Sequence, residues 1–169
     1  DTFPSKFERV YNEGASKKLG LETFETDDVT LMTDLLDTMA DQHADFTLVF
    51  RRLSNLGVEP GPEDDTVREL FDDSTALDSW VSCWRARLKR QRGDPSLRCE
   101  NMASVNPAYI PRNHRVEEVI RAAEDHGDLA PFYQLHEILR HPYHEQPHHS
   151  AFQTPPRPEE VVRATFCGT

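Results

Sequence analysis

Residues 27–53, DDVTLMTDLLDTMADQHADFTLVFRRL, carry the clearest structural signal in the chain. Val29, Met32, Leu35, Leu36 and Met39 recur every three or four residues, which places them along one side of an α-helix. Asp27 and Asp28 offer caps at its start. Beyond Asp45 the pattern resumes with Phe46, Val49, Phe50 and Leu53. The short link around Gln42 and His43 predicts that the two segments pack as a helical hairpin.

Working outward, Phe7, Val10, Tyr11 and Ala15 predict an earlier helix, with Pro4 tolerated near its start and Gly20 as its stop. Downstream, GVEPGPEDD (57–65) reads as a loop. A short helix over Thr66–Phe71 follows, then a long one from Ser74 to Gln91 that carries Leu77, Trp80, Val81, Trp84 and Leu88. Gly93 and Pro95 end it, and the span from Pro95 to Asn113 reads as irregular, with at most one turn of helix near Met102. Asn113 is expected to cap a helix holding Val116, Val119, Ile120 and Ala123, with Glu117 and Glu118 near its positive end. Gly127 stops that helix. Asp128 caps a last one with Phe132, Leu135, Ile138 and Leu139. From His141 onward prolines break the pattern, leaving at most a short helix near Glu159–Ala164. No strand-like alternation and no internal repeat is visible. The reading is an all-α fold: an irregular multi-helix bundle with an extended, Pro-rich C-terminal tail. Its expected organisation is a helical domain over 1–140 (acidic helices 1–92, irregular link 93–112, helical pair 113–140) and a Pro/His-rich tail over 141–169 that ends in Cys167.

Charge narrows the function classes. The net charge is −11. Residues 1–84 hold 19 acids against 7 bases, whereas 85–169 hold 11 against 12. Such an acidic half argues against nucleic-acid binding, which needs cations to displace phosphate counterions. No apolar run approaches the length of a membrane span. Neither a signal nor a transit peptide is apparent, and a start at Asp1 rather than Met suggests a chain cut from something longer. Three cysteines, Cys83, Cys99 and Cys167, make no disulfide framework, so a reducing, cytoplasmic setting is expected.

Candidate chemistry is sparse. His136, His141, His144, His148 and His149 cluster late, but their spacing matches no closed zinc site, and no metal site is expected. Arg85, Arg87, Lys89, Arg90 and Arg92 crowd the end of a helix, where cations complement the helix dipole and otherwise face solvent. Trp80, Cys83 and Trp84 share a helical face, which predicts core packing with Cys83 as a small buried hydrophobe. Cys167 lies on the terminal tail and is the redox candidate. No phosphate loop, nucleophile elbow, zinc-protease motif or kinase catalytic segment appears, so no catalytic residue is expected within this chain.

Four stretches taken together resemble the C-terminal region of the selenoprotein O family. They are Lys18-Leu19-Gly20-Leu21 with the helices up to Arg51; Met102 through Asn106-Pro107-Ala108-Tyr109-Ile110-Pro111-Arg112-Asn113-His114; Ala122-Ala123 to Gly127-Asp128 with Leu139, Pro142-Tyr143 and Gln146-Pro147; and the Pro155-Pro156 tail closing on Cys167. NPxYxxRN followed by a helix and PYxxQP is the most specific element, and His144 departs from the commoner PYDEQP pattern. The resemblance implies the helical end of a kinase-like protein that transfers AMP from ATP to protein hydroxyls with magnesium or manganese. It implies that the phosphate-binding, metal-binding and catalytic residues lie upstream, outside this numbering. Asn106, Pro107, Arg112, Asn113, Pro142, Tyr143, Gln146 and Pro147 are then expected to be structural. The implied partners are the kinase-like N-terminal core of the same polypeptide and protein substrates, with no nucleic acid or membrane. Cys167 stands where some members carry selenocysteine. The competing reading is a free-standing, non-catalytic helical interaction module; an upstream reading frame with a kinase-like core separates the two.

Overall fold

The structure, a computed structural model, describes residues 2–162. The described secondary structure is helical. In order come α1 (Phe3–Leu19), α2 (Thr26–Asp41), α3 (Phe46–Leu53), α4 (Glu63–Arg68), α5 (Thr75–Leu88), α6 (Pro95–Val105), α7 (Asn113–His126) and α8 (Ala130–Leu139), then 3-10 turns at Pro147–Phe152 and Pro158–Glu160. Contacts part the chain between Asn106 and Pro107 into two compact units. The division expected at residue 140 falls inside the second unit.

In the first unit α2 packs on α5, and α1 packs on α2, α3 and α6. The hairpin starts where local chemistry sets it. Asp45 accepts the Leu48 N–H at 2.8 Å, a side-chain cap that opens α3. α2 begins at Thr26, one residue before Asp27, with Glu25 at the cap position: the Glu25 N–H donates to Asp28 Oδ2 at 2.7 Å, so Asp28 works from inside the first turn. Gly20 ends α1 in the left-handed conformation at φ 69°, with the Leu21 N–H reaching the Ser16 carbonyl at 2.8 Å. A side chain there is also excluded by space, because a Cβ would lie 2.6 Å from Met102 Sδ.

α5 is the axis of this unit. Trp80 and Trp84 stack with ring centres 5.9 Å apart and are both buried. Their indole N–H groups donate to the Leu31 carbonyl at 2.7 Å and the Leu19 carbonyl at 2.9 Å. Arg85 forms a two-pronged pair with Asp64, at 2.8 and 2.6 Å, and Arg87 does the same with Asp28, at 2.8 and 3.0 Å. All four charged groups are buried. The solvated, dipole-complementing role expected for Arg85 and Arg87 is therefore corrected: these two hold carboxylates inside the protein. Cys83 is corrected too, because it is exposed. With roughly 100° per residue, Cys83 sits a quarter-turn or more from Trp84, on the flank of the buried stripe.

Two elements differ from the expected pattern. The short helix lies over Glu63–Arg68, earlier than Thr66–Phe71, because Glu63, Asp64 and Asp65 occupy its positive first turn. The span after Pro95 forms α6, 11 residues long, where at most one turn of helix near Met102 was expected. Its start has a sound physical signal: the Asp94 side chain accepts from the Ser96 N–H at 2.8 Å, and Pro95 follows at the first helical position. Its buried residues are Arg98 and Met102, so it lacks the apolar stripe by which helices are read.

In the second unit, Ala108, Tyr109 and Ile138 form a small core with Leu139 and Phe152 against it. α7 packs on α8. The described part of the tail is not extended throughout, since both 3-10 turns lie within it.

The Arg85–Asp64 pair generates a stability prediction. Asp64→Ala leaves a buried guanidinium unpaired and should cost about 3–5 kcal/mol, whereas replacing both partners by apolar residues of similar volume should cost far less. The Arg85 hydrogen bond holds the Asp64 carboxyl below its ordinary value of 3.8. That contribution is therefore complete above the ordinary value and is lost as pH falls through the depressed folded one. Urea unfolding followed by tryptophan fluorescence reports on this unit, because Trp80 and Trp84 are the chain's two tryptophans. Equal unfolding free energies for wild type and Asp64→Ala at neutral pH would count against the pair.

Candidate functional site

The residues singled out by the NPxYxxRN and PYxxQP stretches form two polar anchors, one in each unit. The first is Asn106, fully buried at the end of α6. Its Nδ2 donates to the Lys18 carbonyl at 3.0 Å and to Ser54 Oγ at 3.2 Å, and its Oδ1 accepts from Lys18 Nζ at 3.2 Å. Its backbone carbonyl accepts from Arg51 Nη1 at 3.0 Å, which also reaches the Ala103 carbonyl at 3.0 Å. Thus one amide ties α6 to the end of α1 and to α3. Lys18 Nζ lies 5.5 and 5.0 Å from the ring centres of Phe46 and Phe50. Burial there pushes the Lys18 ammonium pKa down from its ordinary value.

The second anchor is a clasp between Tyr109 and Gln146. The Tyr109 hydroxyl donates to the Gln146 carbonyl at 2.9 Å and accepts the Gln146 N–H at 3.1 Å. The Gln146 side chain donates to the carbonyls of Ile138 at 3.0 Å and His141 at 3.2 Å. The Pro142 carbonyl accepts from both Ala108 N–H and Tyr109 N–H, at 2.8 and 3.1 Å. A proline can contribute only a carbonyl here, and both motif ends meet on it. Arg112 is buried, and its N–H donates to the Ile110 carbonyl at 2.8 Å. Pro107 and Pro142 are half-buried; Asn113, Tyr143 and Pro147 are exposed. Asn113 is not the cap of α7. Arg112, extended at ψ 134°, takes that position and leaves Asn113 as the first helical residue.

Sequence reasoning passed over Lys18, Ser54 and Arg51 as the partners of Asn106, and Tyr109 as the partner of Gln146. Tyr109 had a signal, since it stands inside the NPxYxxRN stretch. The others lie 88, 52 and 55 residues from Asn106, beyond any spacing rule.

His114 is buried at the start of α7, and neither ring nitrogen has a hydrogen-bond partner among the described residues. Burial first, then the neighbouring Arg115 and Arg112 cations, push its pKa below 6.5, against the opposing pull of Glu160 and Glu118. Nearby, Arg157 pairs with Glu160 at 2.6 Å and draws the Glu160 carboxyl down to about 2. His141 and His144 stack at 5.8 Å, but among the described residues no three His, Cys, Asp or Glu side chains converge as metal ligands would. Cys167 lies outside the described residues. Among those residues no helix is long and apolar enough to cross a membrane.

The model of the family described as protein adenylyltransferase SelO matches residues 1–140. This chain belongs to that family. Among its curated relatives is the protein nucleotidyltransferase YdiU of Rhodopseudomonas palustris strain BisB5, 48% identical over 167 residues, covering 99% of this chain and 34% of the relative. YdiU of Bradyrhizobium sp. strain BTAi1 is 48% identical over 170 residues, covering all of this chain and 34% of that relative. A YdiU of Methylorubrum extorquens is 46% identical over 172 residues, covering 99% of this chain and 35% of that relative. The chain therefore spans about a third of the length of the curated relatives it matches.

Two outcomes follow. Asn106→Ala strips partners from buried groups and should destabilise the first unit by about 1–3 kcal/mol, read by the same fluorescence-detected urea unfolding. For His114, a folded pKa below the unfolded one means its contribution is present above about 6.5 and is lost as pH falls below it. Between about pH 7.5 and 5.5 wild type should lose more stability than His114→Gln; parallel pH profiles would show that the imidazole does not titrate in this way.

Proposed function

We propose that residues 1–169 are the C-terminal helical region of a protein adenylyltransferase. In this reading the complete polypeptide transfers AMP from ATP to Ser, Thr or Tyr hydroxyls of protein substrates in the cytoplasm. The helical region supports a kinase-like core and supplies a redox-sensitive thiol at Cys167. The carrying observation is the family match over residues 1–140, with relatives named protein nucleotidyltransferase aligned along nearly the whole chain yet only about a third of their own length. The character of the buried charges supports a supporting role: Asp28 and Asp64 are both held by arginine, and Arg51 and Asn106 by backbone.

ATP and magnesium or manganese belong to the complete enzyme in this proposal. The residues described here do not fit them, since they offer no convergent metal ligands and the buried carboxylates are occupied. No step of adenylyl transfer is therefore assigned to this chain. Phosphoryl-type chemistry depends mostly on positioning and electrostatics around the phosphates, and those groups must come from elsewhere in the polypeptide.

The test is incubation with labelled ATP, magnesium or manganese and a generic protein acceptor. The complete polypeptide should label the acceptor; the 169-residue chain alone should not. Reproducible labelling by the pure chain would overturn the assignment. For the thiol, peptide mapping of the complete polypeptide under oxidising and reducing conditions should find Cys167 oxidised reversibly. A Cys167→Ser variant with an unchanged redox response of activity removes that role.

A further inference from the structure

α1 is longer than the core that holds it. Of its 17 residues, only Ala15, Ser16 and Leu19 are buried. Every residue from Thr2 to Tyr11 is exposed. At 1.5 Å per residue, the part before Ala15 overhangs by roughly 18 Å. A free helix of this length is marginal in water.

The overhang is not neutral. Phe3, Phe7 and Tyr11 are 82%, 62% and 41% exposed. They stand four residues apart, with successive ring centres 6.4 Å apart and planes within 28°. Val10 adds to the same side. Ser5, Glu8, Arg9, Asn12 and Glu13 lie on the other side, lining an open cavity with Leu21–Phe24. The apolar side thus faces away from the helix's own neighbours. Gly14 continues that side, and a Cβ there would meet nothing within 4 Å. A mid-helix glycine weakens a helix relative to alanine, and it leaves room for another backbone to approach closely.

We propose that the Phe3, Phe7, Val10, Tyr11 and Gly14 side of α1 is the seam on which the part of the adenylyltransferase polypeptide outside residues 1–169 docks. The inference rests on the reading under Proposed function. The relatives place about two thirds of their length outside the matched region, so the occupant has ample chain. The area favours an intramolecular partner over a second copy. Three partly exposed aromatic side chains offer on the order of 400 Å², about half of what each partner contributes to a stable interface between separate proteins. Within one chain the effective concentration is millimolar, and a patch of that size is enough to hold.

The experiment uses the complete polypeptide. A photo-crosslinking phenylalanine analogue replaces Phe7, and light and heavy isotope-labelled preparations are mixed before irradiation. Cross-links should join Phe7 to residues outside 1–169 of the same molecule, giving light–light and heavy–heavy pairs only. In unmodified protein, amides of residues 7–14 should exchange at least about 100-fold more slowly than those of the 57–62 loop. Gly14→Leu is the second variant. On an open helix it raises the thermal midpoint by its better propensity; on a covered one it lowers it. Mixed light–heavy pairs, cross-links confined to 1–169, rapid exchange, or a raised midpoint overturn the seam. AMP transfer is assayed on the same samples. Transfer with rapid exchange sinks the seam alone, whereas slow exchange without transfer sinks the functional reading alone.

Discussion

Four buried donor groups on one helix tie stretches of chain between Leu19 and Asp64 to α5. Trp80 reaches the Leu31 carbonyl, Trp84 the Leu19 carbonyl, Arg85 both the Gly57 carbonyl and Asp64, and Arg87 both the Thr23 carbonyl and Asp28. These receivers are spread over several stretches of chain. A buried donor left without its acceptor costs about 1–3 kcal/mol, and more when charged, so every one of these segments must arrive at a defined place against α5. Apolar burial alone does not impose that. Leu77, Val81 and Leu88 on the same helix would tolerate small shifts of their neighbours; the guanidinium and indole groups would not.

That constraint explains which parts of the fold could be read in advance. α2, α3 and α5 were legible because their buried faces carry apolar residues at helical spacing, although Val29 of the expected α2 stripe is exposed. The roles of Arg85 and Arg87 were not, since their carboxylates lie 21 and 59 residues away and no local rule connects them. A run of basic residues near a helix end looks like a solvated terminus until the partners are in place. α6 was missed for a related reason. Its inward face carries Arg98, which lies over the Trp84 ring at 5.4 Å, and Met102. A buried arginine reads as polar in any hydrophobic pattern.

The candidate anchors were half legible. The stretches around Asn106 and Gln146 stood out, and both prove to be hydrogen-bond hubs. What they bind could not be read, because Asn106 serves the ends of two helices and Gln146 serves a tyrosine hydroxyl. Pro142 shows the difference between a motif and its physics. Its carbonyl accepts two amides, from residues 108 and 109. Tyr143, Asn113 and Pro147 lie beside such contacts in sequence and are exposed.

The pairing of most buried polar groups in the first unit, Arg98 Nε excepted, and the apolar exposure together say what kind of surface remains to be used. In the first unit the buried aspartates are paired, the indoles have acceptors and Asn106 engages both its amide nitrogen and its carbonyl oxygen. A further partner gains little by competing for those groups, since each is already held at hydrogen-bond distance in a low-dielectric setting. The exposed large side chains are a different matter. Phe3, Phe7 and Tyr11 line α1, and in the second unit Leu129, Phe132 and Tyr133 stand out at and along α8. Scattered single apolar residues need no explanation, but ordered rows do. The aromatic row on α1 coincides with a helical segment whose residues are exposed from Thr2 to Tyr11, so the same stretch lacks burial and has little support beyond the open cavity it lines with Leu21–Phe24. A partner that covers it supplies both at once, and it does so without disturbing any of the polar ties that hold the unit together.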